Sequence, residues 1–220
     1  MDDSYILRHV DHTLLKAASS WIDVEQLCKE AVEHSTASVC IPPCYIGRIR
    51  EAFPKLNICT VIGFPLGYDV TSAKAAAAQA ALADGADELD MVVNITDVKN
   101  GDFGAICGEI TALKKIAGTH ILKVIVETCY LTESEKISLC RAVTSSGADY
   151  IKTSTGFGTG GATMDDVDLF KAHIGKNVKI KAAGGIRTRE DMVAFLEAGC
   201  SRLGTSSAVT LLSGGAGSVY

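Results

Sequence analysis

Short runs of β-branched and other apolar residues recur along the chain, each separated from the next by a stretch in which apolar positions fall at helical spacing. The runs are VDHTLL (10–15), ASVCIP (37–42), NICTVIGF (57–64), ELDMVVN (88–94), ILKVIVET (121–128), YIKTST (150–155), VKIKAAG (178–184) and RLGTSS (202–207). Runs of this length, bounded by turn residues, predict strands. Between them lie IDVEQLCKEAVEHS, TSAKAAAAQAALADG, LTESEKISLCRAVTSSG and RTREDMVAFLEAGC, several opening on Ser, Thr or Asp and several closing on Gly, the start and stop signals of helices. Eight alternating strand and helix units predict an α/β fold, a closed (β/α)8 TIM barrel. At 220 residues the chain is short for that architecture, so its loops are expected to be short. No Pro/Ser-rich linker or charge run divides it, and residues 1–220 read as a single barrel domain.

A weak internal repeat sets the expected register. DGADELD, SGADYIK and AGCSRLG each carry a glycine leading into a strand. Five residues on from Gly85, Gly147 and Gly199 stand Asp90, Lys152 and Gly204, and the same count from Ser35 in STASVC reaches Cys40. These belong to the fourth, sixth, eighth and second strands. Barrel interiors are layered, with four side chains per layer contributed by alternate strands, so Cys40, Asp90, Lys152 and Gly204 are expected at one level inside the barrel.

Composition narrows the classes of function. Apolar residues are 47% and charged residues 21% of the chain, enough for a large core. A net charge of -5 and the lack of a basic patch argue against nucleic acid or a membrane surface as partner, and no run approaches the ~20 apolar residues of a membrane span. Eight cysteines lie scattered without a C-x-x-C pair, and the N-terminus has no signal-peptide apolar run. A reducing cytoplasm is the expected setting. Cys40 and Cys44 are four apart, but no second pair completes a zinc site, and no metal is expected. Composition leaves assembly into a homo-oligomer open.

The polar exceptions within the strands carry the chemistry. An ammonium removed from water without a partner costs several kcal/mol, yet Lys123, Lys152, Lys179, Lys181 and Asp90 all fall in strands. A single such lysine commonly snorkels to a barrel end, and Asp90 alone reads equally well as a paired carboxylate. Two lysines on neighbouring strands, with a carboxylate two strands away and glycine-rich loops above, match one reaction class. An amine attacks a carbonyl only when neutral, and a second cation at about 6 Å opposes protonation by roughly 3 kcal/mol at an effective dielectric near 20. Lys152 is thus the expected Schiff-base nucleophile and Lys181 the charge that keeps it unprotonated, while Asp90 has two expected jobs, compensating the second cation and shuttling protons during carbinolamine formation. The iminium would act as an electron sink for carbon–carbon cleavage, the chemistry of a class I aldolase.

The glycines suggest an anion. GFGTGG (156–161) fits G-x-G-x-x-G, but it stands in the sixth unit of eight behind a lysine, so a nicotinamide site is set aside. The loops after the seventh and eighth barrel strands are a recurrent phosphate site. Gly184, Gly185, Gly204, Ser206 and Ser207 fit that role, although tight turns and caps alone would also account for them. A sugar phosphate satisfies both features.

DHTLLK, VCIPP, VIGFPLG, ELDMVVN, LKVIVET, IKTSTGFGTGGAT, KAAGGIRT and RLGTSS together, in order and over almost the whole chain, resemble the deoxyribose-phosphate aldolase family. The resemblance implies reversible cleavage of 2-deoxy-D-ribose 5-phosphate to D-glyceraldehyde 3-phosphate and acetaldehyde, without metal or organic cofactor, in deoxyribonucleotide catabolism. It implies Lys152 as Schiff-base lysine, Lys181 as second lysine, Asp90 as relay acid and Cys40 as a site-lining cysteine. It also implies Asp11, Thr13 and Thr155 near the substrate, with Gly156, Gly184, Gly185, Arg187, Gly204, Ser206 and Ser207 around the phosphate. Some members carry lysine where Phe157 stands, and proline where Ala17 stands. Tyr220 resembles a terminal tyrosine linked in some members to proton transfer. The rival readings are another Schiff-base aldolase or transaldolase and a non-catalytic phosphosugar-binding barrel.

Overall fold

The structure, a computed structural model, describes residues 1–212. They form one closed barrel in which eight parallel strands pair in chain order. The strands are β1 (Val10–Thr13), β2 (Ser38–Ile41), β3 (Ile58–Ile62), β4 (Glu88–Val92), β5 (Ile121–Ile125), β6 (Tyr150–Lys152), β7 (Lys179–Ala183) and β8 (Arg202–Thr205). Each expected strand is present, and each stops short of its expected C-terminal end. YIKTST, for example, contributes only Tyr150–Lys152. Past that point the chain leaves the ladder to build the loops at one mouth: the Thr155 N–H turns to the Glu127 carboxylate.

Around the strands lie α1 (Asp3–Leu7), α2 (Trp21–His34), α3 (Ile46–Ala52), α4 (Thr71–Ala83), α5 (Ile95–Lys99), α6 (Phe103–Ala117), α7 (Glu133–Ser145), α8 (Met164–His173), α9 (Arg189–Glu197) and α10 (Ala208–Leu212). Three of these helices begin with reciprocal capping boxes, Ser20 with Asp23, Thr132 with Glu135 and Thr188 with Asp191. Each box satisfies amide donors that would otherwise lack partners and contributes about 0.5–2 kcal/mol. It also fixes where the preceding loop must end.

The core has two unequal parts. Outward-facing strand residues such as Val39, Leu89, Met91, Val124, Ile151 and Leu203 meet helix residues such as Ile110, Leu113 and Phe170 in one continuous apolar shell. Inside the barrel the buried apolar cluster is small: Cys40, Cys59 and Val61, with Leu15 and Phe64 against it. Most of the lumen is polar. Pairing of Val61 with Asp90, Asp90 with Lys123, Ile125 with Lys152, Lys152 with Lys181, and Ala183 with Gly204 sets the order in which lumen side chains stack.

Candidate active site

Side chains alternate between the two faces of a strand, so the register stacks the lumen in tiers. Ser38, Glu88, Tyr150 and Arg202 come from even strands, and Asp11, Cys59, Lys123 and Lys181 from odd strands above them. Cys40, Asp90, Lys152 and Gly204 follow from even strands, the tier that the glycine spacing predicts. The tiers are bound by charge. Lys123 Nζ lies 2.5 Å from Glu88, 2.8 Å from Asp90 and 3.7 Å from Asp11. Lys181 Nζ reaches Asp11 at 2.5 Å and Asp90 at 2.7 Å, and Lys152 Nζ reaches Asp90 at 2.8 Å. Below, Arg202 pairs with Asp11 and with Glu88, and the Ser38 hydroxyl donates to Asp11 at 2.7 Å.

These groups set one another's protonation. Burial pushes the Asp90 carboxyl up, but the charges of Lys123, Lys152 and Lys181 outweigh it and hold Asp90 well below the carboxylate range. Asp11 is treated likewise: burial opposes, and Lys181, Lys123 and Arg202 bring it down. Burial works against the charged form of Lys181, and the carboxylates of Asp11 and Asp90 more than compensate, raising it. Lys181 is therefore a compensated cation, in keeping with the first of the two jobs expected of Asp90. Asp90 stands between it and Lys152, with both ammonium groups on one oxygen.

Gly204 makes room for this arrangement. A Cβ there would lie 3.1 Å from Lys181 Cε and 3.0 Å from Ala183 Cβ, so a side chain would press on the buried lysine. Lys179, the other lysine of β7, is exposed near the opposite mouth, with its ammonium 5.7 Å from the Tyr150 ring.

At the C-terminal mouth a cavity of about 260 Å³ opens onto Lys152. Thr13, Thr155, Gly156, Gly184, Gly185 and Arg187 line it, as do Gly204, Ser206 and Ser207. Consecutive positive φ angles at Gly184 (81°) and Gly185 (76°) turn the backbone in a way that side-chain-bearing residues rarely adopt. Opposite, the Ser207 N–H donates to Thr205 Oγ1 at 3.2 Å just before α10 begins. Leu15 and Phe157 add an apolar wall, and Phe157 meets Phe64 edge-on at 5.3 Å. The remaining expected site residues lie deeper. Lys181, Asp90, Asp11 and Cys40 are fully buried beneath Lys152 and do not line the cavity, so Asp11, expected beside the substrate, acts here on Lys181 and Arg202. Tyr220 lies outside the described residues.

Several residues of the site have no counterpart among the expected ones. Glu88, Arg202 and Cys59 are lumen residues that occupy the same strand faces two positions away from Asp90, Gly204 and Val61. Glu127, at the rim, holds Thr155; burial raises its carboxyl, opposed by the Thr155 hydrogen bonds and the Lys152 charge. Among the described residues, Cys40 with Cys59 and Asp90, and Asp11 with Cys59 and Glu88, have ligand atoms close enough together to hold a metal. The Lys123 ammonium already lies against both groups, 3.3 Å from Cys59 Sγ, so the chain supplies its own cation there.

An amine at the floor of a cavity, backed by a carboxylate and ringed above by glycine and serine residues, equips a barrel for lysine-dependent aldolase chemistry. Comparison with known proteins agrees. The model of the DeoC/LacD family aldolases matches residues 5–215. The deoxyribose-phosphate aldolase of Clostridium botulinum (strain Alaska E43 / Type E3) is 62% identical over 215 residues, 97% of each chain. That of Clostridioides difficile (strain 630) is 58% identical, over 94% of this chain and 95% of the relative. The solved deoxyribose phosphate aldolase of Aeropyrum pernix, described as a unique tetramer, superposes with a TM-score of 0.90 at 31% identity, covering 96% of this chain and 91% of that one. The chain belongs to the DeoC/LacD family of aldolases, and its relatives within that family are deoxyribose-phosphate aldolases.

Proposed function

We propose that this protein reversibly cleaves 2-deoxy-D-ribose 5-phosphate to D-glyceraldehyde 3-phosphate and acetaldehyde through a Schiff base on Lys152. The observation that carries the reading is that Lys152 alone among the lumen cations Lys123, Lys152, Lys181 and Arg202 lines the cavity, with Asp90 directly behind it. Neutral Lys152 adds to the open-chain aldehyde carbon, and loss of water from the carbinolamine leaves an iminium. The hydroxyl on the third carbon gives up its proton, the bond between the second and third carbons breaks, and its electron pair passes to the iminium. Glyceraldehyde 3-phosphate leaves an enamine on Lys152. Protonation of that enamine, then addition of water, releases acetaldehyde and regenerates the amine. Asp90 carries protons in these steps, and Lys181 stabilises it as an anion.

The phosphate is assigned to the amides around Gly184, Gly185, Gly204, Ser206 and Ser207, with Gly156 and Arg187 at the rim. Thr13 and Thr155 face the sugar. Cysteine usage, with eight free thiols, supports a cytoplasmic setting. Among the described residues no helix is long and apolar enough to cross a membrane. Assembly with further copies of the chain follows the Aeropyrum pernix relative.

The test is borohydride reduction in the presence of acetaldehyde or deoxyribose 5-phosphate, followed by peptide mapping by mass. The adduct is expected on Lys152 and absent in Lys152→Ala. An adduct on another lysine would overturn the assignment; products other than glyceraldehyde 3-phosphate and acetaldehyde would redirect it to a different Schiff-base aldolase or transaldolase. Absence of both adduct and cleavage would leave a phosphosugar-binding barrel.

A further inference from the structure

We infer that Glu127 is a positioning residue that fixes the hydrogen-bond polarity of Thr155, so that the cavity offers an acceptor to a hydroxyl of the phosphorylated aldehyde; the inference rests on the aldolase reading above. Glu127 follows β5 with φ 55° and ψ 66°, a left-handed conformation that few residues other than glycine adopt. Such a backbone persists where its surroundings hold it. Only 3% of Glu127 is exposed, and every group that approaches its carboxylate is a donor. Thr155 N–H reaches Oε1 at 3.2 Å and Oε2 at 3.3 Å, the Thr155 hydroxyl makes a short hydrogen bond to Oε2, and the Cys129 thiol points at Oε1 from 4.0 Å. Gly158 keeps this space open, since a Cβ there would stand 3.1 Å from Oε1.

The polarity follows from counting protons. An ionised carboxylate only accepts, so the hydrogen it shares with Thr155 comes from the hydroxyl. Thr155 Oγ1 has two lone pairs, and Phe157 N–H, at 3.0 Å, occupies one. The other remains for the cavity that Thr155 lines. With its own hydrogen committed to Glu127, Thr155 has nothing to donate to a ligand. It can accept from an O–H, and it offers nothing to a carbonyl or ether oxygen. Glu127 touches no part of the substrate in this account; it selects through Thr155, for an aldehyde phosphate that carries a hydroxyl next to its carbonyl.

The experiment runs the reaction toward synthesis, adding acetaldehyde to either glyceraldehyde 3-phosphate or 3-oxopropyl phosphate, which has the same chain and phosphate without the hydroxyl. Wild type is expected to favour the hydroxylated acceptor by about 10-fold or more in kcat/KM. Glu127→Ala and Thr155→Val are each expected to bring the ratio within about 3-fold of unity, and the double variant to go no further. Glu127→Gln, whose amide oxygen still accepts, is expected to keep most of the preference. Borohydride trapping of acetaldehyde on Lys152 needs no substrate hydroxyl and reports that each variant is folded. Glu127→Met, which fills the same space without an acceptor, replaces the alanine variant if that one does not fold. A wild-type ratio in Glu127→Ala or Glu127→Met, or a Glu127→Gln ratio as low as theirs, overturns the inference. Failure of wild type to make deoxyribose 5-phosphate would instead strike the aldolase reading itself.

Discussion

Lys152 and Lys181 lie against the same oxygen of Asp90, at 2.8 and 2.7 Å. That oxygen is the junction of the lumen. Around it three carboxylates, Asp11, Glu88 and Asp90, face four cations, Lys123, Lys152, Lys181 and Arg202. Removing one proton from the cluster balances it, and in the proposed mechanism that proton is the one missing from Lys152, the cation that lines the cavity. Burying so many charges is tolerable only because each has several partners.

Replacing Lys181 by methionine tests that balance. Asp90 would retain Lys123 and Lys152, so Lys152, the proposed nucleophile, would face a less compensated carboxylate. Activity is expected to fall by about 100-fold or more, and the pH–rate profile of kcat/KM to move to the alkaline side. Steady-state kinetics between pH 6 and 10 would read both; a loss of activity with an unmoved profile would show that Lys181 does not act through charge.

A second prediction concerns stability and pH. The folded-state values of Asp11 and Asp90 are held below the ordinary carboxylate value of 3.8. Their contribution is therefore fully present above the unfolded value and is lost as pH falls through the lowered ones. Lys181 and Lys123 are raised above 10.5, so their contribution is present below the ordinary value and is lost as pH rises through the raised ones. A plot of Tm against pH should show a plateau with a descent on each side. In Arg202→Met, Asp11 loses one of the charges that lower it. The plateau should drop by the equivalent of about 3 kcal/mol, the acid limb should become shallower, and the two curves should converge at low pH. Since Arg202 does not line the cavity, KM should stay within about 3-fold of wild type.

How much of this was legible in the chain can be seen residue by residue. The glycine spacing located Asp90 and Lys152 because a helix ending in a tight turn delivers each strand in a fixed register. The same count stopped two residues earlier reaches Ser38, Glu88, Tyr150 and Arg202, the tier beneath, so that layer was within reach of the same argument. Partner choice was not legible. Whether Lys181 would repel Lys152 or share Asp90 with it depends on distances across the barrel, between strands far apart in sequence. Glu127 was hidden for a different reason: in LKVIVET it reads as the end of a strand, and only the left-handed turn carries its carboxyl toward Thr155. Strand ends were overestimated throughout because β-branched residues such as Thr153 and Thr155 continue past the last ladder position into the mouth loops.

A third prediction tests the proposed phosphate site. Alanine at Gly185 would have to adopt a φ near 76° that side-chain-bearing residues rarely take, shifting the loop to which the phosphate is assigned in the proposed function. Gly185→Ala is expected to raise KM for deoxyribose 5-phosphate by about 10-fold or more with a smaller change in kcat, and to leave cleavage of unphosphorylated deoxyribose nearly unaltered. Equal losses on the two substrates would show that the loop does not serve the phosphate.

Tyr150, Arg202 and Glu88 sit beneath the amines and close the lumen below them. The barrel is accordingly a blind well: whatever enters by the C-terminal mouth must leave by it. If the two-carbon fragment is tethered on Lys152 and the phosphorylated one lies above it, as proposed, departure must be last in, first out. Acetaldehyde is then expected to leave only after glyceraldehyde 3-phosphate has cleared the shaft, and an excess of that triose should trap the tethered fragment and return it to sugar.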